Sequence, residues 1–148
     1  MITETLVSLF NRDLNRIKTE IEQYKDETNI WLTDQNISNS AGNLCLHLLG
    51  NLNTFIGAEI GKTGYIRNRP LEFSLKNIPR AKLITDIENL IQIVTNSLLK
   101  MAEEDFNKEY PILIFEKPCS YEYILIHLTT HLTYHLGQIN YHRRLLDK

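Results

Sequence analysis

The sequence predicts an all-α fold, a four-helix bundle in one domain over residues 1–148. Three observations carry that prediction. Apolar residues recur at three- and four-residue steps through four long segments, the period of a helix with one buried face. The longest connection between them holds Gly61, Gly64 and Pro70, which interrupt helices. Three histidines of the last segment, His127, His131 and His135, fall at i, i+4 and i+8. On a helix each such step turns by about 40° and climbs about 6 Å, so neighbouring rings share a face.

The first helix is expected over residues 2–26. Leu6, Phe10, Leu14, Ile17, Ile21 and Tyr24 lie on its core stripe, and Arg12, Asp13, Arg16 and Glu20 on its solvated face. In the connection 27–37, Trp31 is placed over an end of the bundle. The second helix is expected over residues 38–60, with cap chemistry in Ser38-Asn39-Ser40 and Leu44, Leu48, Leu52, Phe55 and Ile56 facing inward. His47 shares a face with Asn43, Gly50, Asn51 and Thr54, small and polar residues that suit a wet cavity. Gly50 costs a mid-helix position about 1 kcal/mol against Ala. It therefore predicts room beside His47 for a partner helix or a ligand.

Residues 61–78 read as a long crossover. Its reach of roughly 55 Å exceeds the ~35 Å of the second helix, so the chain can cross the bundle and return parallel. Arg67 and Arg69 are candidates to bind an anionic substrate group or to pair with Glu72. Pro79 suits the first position of a third helix, residues 79–104, with Leu83, Ile87, Leu90, Val94 and Leu98 buried. That helix would end in Glu103-Glu104-Asp105, an unfavourable charge set at a C-terminus, so fraying is expected. It has no histidine or cysteine and reads as scaffold. An apolar connection over 110–118 leads to Ser120, the cap of a fourth helix over 120–146.

Composition narrows the function. Hydrophobic residues make up 43% and charged residues 23%, enough for a sizeable core. The net charge of −2, with no massed basic block, argues against nucleic acid as a partner. Arg143 and Arg144 sit where cations complement the end of a helix. Cys45 and Cys119 fit no metal motif, and Cys45, on an apolar face, reads as an inert buried thiol. No apolar run suits a signal peptide or a membrane span, so the expectation is a cytoplasmic protein without a membrane partner.

The histidines carry the chemistry. Two imidazoles one turn apart can hold one metal ion, and a third ligand must come from elsewhere. His47 is the one histidine outside the last segment. Spacing allows either His127/His131 or His131/His135 as the pair. If helices two and four are antiparallel neighbours, His47 lies ~14 Å from the start of one and His135 ~17 Å from the end of the other, which favours His131/His135. His127 then becomes a core residue or a support for the ligands, and His142 a surface residue near the helix end. Three neutral histidines leave coordination positions open, as in catalytic sites. Gln138, one turn beyond His135, is placed to orient a ligand or brace an imidazole, Asn51 to contact the site from the second helix, and Tyr134 or His127 to relay a proton.

The string His131-x3-His135-x-Gly137-Gln138-Ile139 and the upstream His47 resemble the DinB/YfiT-like superfamily of metal-binding bundles. The runs Asn39–Leu52 and Arg67-Asn-Arg69-Pro-Leu-Glu72-Phe73 add to the likeness. The resemblance implies an up-down-down-up bundle with a long helix 2–3 crossover. It implies one divalent metal, commonly nickel or zinc and sometimes iron, on His47, His131 and His135, and a homodimer. It further implies a small-molecule substrate and a low-molecular-weight thiol cofactor, as in thiol-dependent transferases. Metal-assisted hydrolysis is the alternative, and it lacks an evident carboxylate base near the motif. A non-enzymatic metal-binding dimer is the third reading.

Overall fold

A computed structural model describes residues 1–148. The chain is all-helical, with α1 Ile2–Gln23, α2 Ala41–Leu52, α3 Arg69–Ser74, α4 Arg80–Leu99 and α5 Tyr121–Leu146. No strand forms, and two isolated antiparallel bridges pin loops, Asp34 to Ile37 and Glu109 to Ser120. α1 lies against α4 and α5, and α2 lies against the same two helices and against α3. The apolar stripes read from the sequence close into one buried cluster, including Phe10, Leu14, Leu48, Ile87, Val94, Leu128 and Leu132. No helix is long and apolar enough to cross a membrane.

The helix boundaries depart from the sequence expectation where tertiary contacts intervene. α1 ends at Gln23, three residues early. Tyr24 turns into the core and meets His142, while the Asp147 carboxylate accepts from the backbone N–H groups of Lys25 and Asp26. Those bonds replace the helical ones that would have continued α1. α2 begins at Ala41, with Ser40 Oγ accepting from Asn43 N–H, and its last turn, Asn53–Ala58, widens into a π-helical turn. α4 runs from Arg80, with Pro79 one position outside as its cap, and stops at Leu99. The acidic triplet does not fray a helix end. It opens a 3₁₀ turn, Glu103–Asn107, in which Asp105 accepts from Ala102 N–H and pairs with Lys108. Carboxylates are favourable at such an N-terminus.

The crossover is not a plain loop. Pro70 does not break helix there but sits in the first turn of α3, where no backbone donor is needed, and Asn68 Oδ1 accepts from Leu71 N–H. Two charge assignments also change. Asp13, expected on the solvated face of the first helix, is 2% exposed and bonds Arg12 and Thr133 of α5. His142, expected at the surface, is 3% exposed. Its Nδ1 accepts from Tyr24 O–H at 2.6 Å and its Nε2 donates to the Leu32 carbonyl at 2.8 Å. Trp31 packs its ring over Gly42 at the start of α2, and both cysteines are free. Burial pushes the Cys45 thiol up to about 12, which keeps it inert.

Candidate metal centre

α2 contributes His47, and α5 contributes His131 and His135 one turn apart. Packing of α2 on α5 brings the three rings together at centroid separations of 4.5–5.2 Å. His131 Nε2 lies 3.3 Å from His47 Nε2 and 3.1 Å from His135 Nε2. One ligand atom from each of the three residues falls within a 4.8 Å span. Nitrogens bound to one ion at about 2.1 Å lie roughly 3.0 Å apart at octahedral angles and 3.4 Å at tetrahedral ones, so the spacing fits a shared cation.

Hydrogen bonding decides which ring nitrogens carry protons. His47 Nδ1 lies 3.1 Å from Glu72 Oε1, which can only accept, and 3.4 Å from Arg67 Nη2, which can only donate; the shorter carboxylate contact makes this nitrogen the donor. His135 Nδ1 likewise donates to Gln138 Oε1 at 2.7 Å. In the neutral rings both Nε2 atoms then present lone pairs toward His131 Nε2. Converging lone pairs are what a cation requires and what a hydrogen-bonded cluster lacking one cannot fully satisfy. His131 Nδ1 is buried without a protein partner. Burial first, and then the neighbouring His135 and His47, push the His131 imidazolium down to about 4. Burial likewise outweighs Glu72 at His47 and lowers it. Neutral imidazole, the ligating form, is therefore the resting state at neutral pH.

Glu72 is the site residue that sequence reasoning missed. From the sequence it reads only as a partner for Arg67 or Arg69. The pairing with Arg67 exists, with Arg67 donating to Oε2 at 2.8 Å and to Oε1 at 3.0 Å, but its purpose differs. The buried carboxylate is oriented onto His47, in the arrangement that fixes metal-binding imidazoles. The room predicted beside Gly50 is filled from within the chain, because a Cβ there would collide with the Glu72 carboxylate. The overlooked signal was Asn68-x-Pro70-x-Glu72, a cap and a first-turn proline that announce a short helix.

The other candidates are placed as follows. Arg67 is committed to Glu72, whereas Arg69 is exposed and stacks over Phe73, whose ring lies 5.1 Å from that of His47. His127 is half-buried and outside the cluster, stacked 6.3 Å from His131 and edge-on to Phe115. Asn51 near the end of α2 and Thr54 in the π-helical turn beyond it continue the His47 side, their Oδ1 and Oγ1 atoms buried without protein partners. Tyr134 is exposed, with its ring 5.3 Å from that of His135.

Residues 3–148 match the model of a family described as "Protein of unknown function (DUF1572)". The chain belongs to the DUF1572 family. No curated protein matches it. In this DUF1572 chain the match spans all five helices, so α2, α3 and α5, which assemble the cluster, all fall within the family's own extent.

Proposed function

We propose that this protein binds one divalent transition metal through His47, His131 and His135 on an up-down-down-up bundle of the DinB/YfiT-like type, and that it is a metal-dependent enzyme using a small thiol. The observation that carries the metal reading is the convergence of three Nε2 atoms with two of the rings held in the Nδ1–H form by Glu72 and Gln138. Three histidines leave positions open on the ion, and Lewis acidity there favours the deprotonated form of a thiol or of water. The rest falls to the chain. Glu72 and Gln138 orient the ligands, Asn51 and Thr54 offer unpartnered polar atoms on the His47 side, and Phe73 forms an apolar wall.

Thiol transfer is preferred over hydrolysis because hydrolysis wants a free carboxylate base. Glu72 is the carboxylate at the cluster, and it is committed on both oxygens. The thiol itself comes from the family likeness, as does the expectation of a homodimer.

The test begins with elemental analysis. Purified wild type is expected to carry close to one nickel, zinc or iron per chain. His131→Ala and His135→Ala should each fall well below that, and full loading of both variants would refute the ligand set. The cobalt-substituted protein should then change its visible spectrum when a low-molecular-weight thiol is added, and consume that thiol with an electrophile. Turnover of an ester panel without thiol would favour hydrolysis. A metal that alters only the melting temperature would favour a structural role.

A further inference from the structure

The segment joining α2 to α4 is fastened to the helices by polar contacts more than by apolar ones. Tyr65, Ile66, Leu71 and Leu75 remain substantially exposed, Ile66 at 90%. What enters the interior is the Glu72 carboxylate, 6% exposed, against His47 Nδ1. Asn43 Nδ2 donates to the carbonyls of Glu72 at 2.9 Å and Leu75 at 2.8 Å, and Asn43 Oδ1 accepts from Lys76. α3 thus meets α2 at Asn43, His47 and Gly50, at i, i+4 and i+7, one face of that helix. Gly50 is the seat, since any side chain there would expel the carboxylate.

We propose that Glu72 is a positioning residue for the metal cluster, and that metal loading and the docking of α3 on α2 are a single linked equilibrium. This rests on the metal reading above. A carboxylate accepting from Nδ1–H holds the His47 ring with its lone pair on Nε2, the state a cation needs. The coupling is reciprocal. A cation on Nε2 makes Nδ1–H a stronger donor and holds Glu72 more firmly. Arg67 and Asn43 carry that to the backbone of residues 67–76. Gln138 braces His135 from its own helix, so losing that bond frees no segment. Glu72 reaches His47 from another element, 25 residues along the chain.

The experiment is amide hydrogen exchange on the full chain, with and without zinc or nickel, for wild type, Glu72→Gln and Gly50→Ala. Chelator competition supplies the metal Kd, and circular dichroism reports folding. In wild type the metal should slow exchange across residues 67–76 by about tenfold. Both variants should bind metal about 10–100-fold more weakly and lose that slowing. Gly50→Ala retains the carboxylate and raises helix propensity, so its loss of affinity would be positional. Metal bound by wild type with exchange over 67–76 unchanged overturns the proposal and leaves the metal reading intact, as does wild-type affinity in both variants. Failure of wild type to bind zinc or nickel overturns both. The wild-type comparison decides the linkage even where a variant fails to fold.

Discussion

At the scale of single residues, five histidines fall into three environments. The three of the cluster present Nε2 to one another, His127 stands beside them against Phe115, and His142 is a buried structural residue. His142 uses both ring nitrogens within the protein, so it has nothing to offer a metal. Tyr24→Phe would leave its Nδ1 a buried acceptor without a donor, a loss of about 1–3 kcal/mol. Urea unfolding should show that loss while metal content stays at the wild-type level. A variant that instead lost its metal would tie His142 to the cluster.

At the scale of elements, two glycines in helices predict opposite outcomes. A Cβ on Gly42 would stand 2.6 Å from the Trp31 ring, so Gly42→Ala must displace that ring. Overpacking of this kind typically costs about 1–3 kcal/mol, more than the ~1 kcal/mol that helix propensity returns. The single tryptophan makes the displacement visible as a shift in fluorescence, measured beside a thermal melt. Gly137, in the middle of α5, has nothing within 4 Å of a built Cβ. Gly137→Ala should therefore raise stability by up to about 1 kcal/mol. Nothing in the structure explains why glycine stands there, and a melting temperature that fell would point to an unseen neighbour on that side of α5.

At the scale of the whole molecule, acid stability follows from the buried imidazoles. His47, His131 and His142 are all held below the ordinary histidine value, with burial the largest cause in each, and His131 reaches about 4. A depressed folded value means that the unfolded chain takes up protons first as pH falls. The stability these groups contribute is complete above about 6.5 and drains away as the pH falls below it, down to about 4 for His131. Metal-free protein should hold a steady melting temperature from pH 8 to 7 and lose it progressively below 6.5. His131→Ala should show a shallower decline in the same series of melts. A wild-type melting temperature flat down to pH 4.5 would contradict desolvated, neutral rings at His47 and His131.

What the sequence determined by itself was periodic and local. The helical period marked the four long segments, the run Ser38-Asn39-Ser40 and Ser120 marked two of their starts to within a few residues, and the i,i+4 step put His131 and His135 on one face. Once the second and last helices are taken as antiparallel neighbours, level matching sets His47 beside that pair, because rise per residue is a constant of the helix. What only the tertiary structure decided were contacts between residues distant in the chain. Tyr24 and Asp147 stop α1, Thr133 covers Asp13, Tyr24 and Leu32 hold His142 inside, and Glu72 fills the space left by Gly50. Each is a polar group whose burial depends on a partner far along the chain, and no periodicity records such a partner. The hydrophobic pattern states which face turns inward, while the hydrogen bonds that permit a charge or an imidazole to follow it exist only once the helices have met.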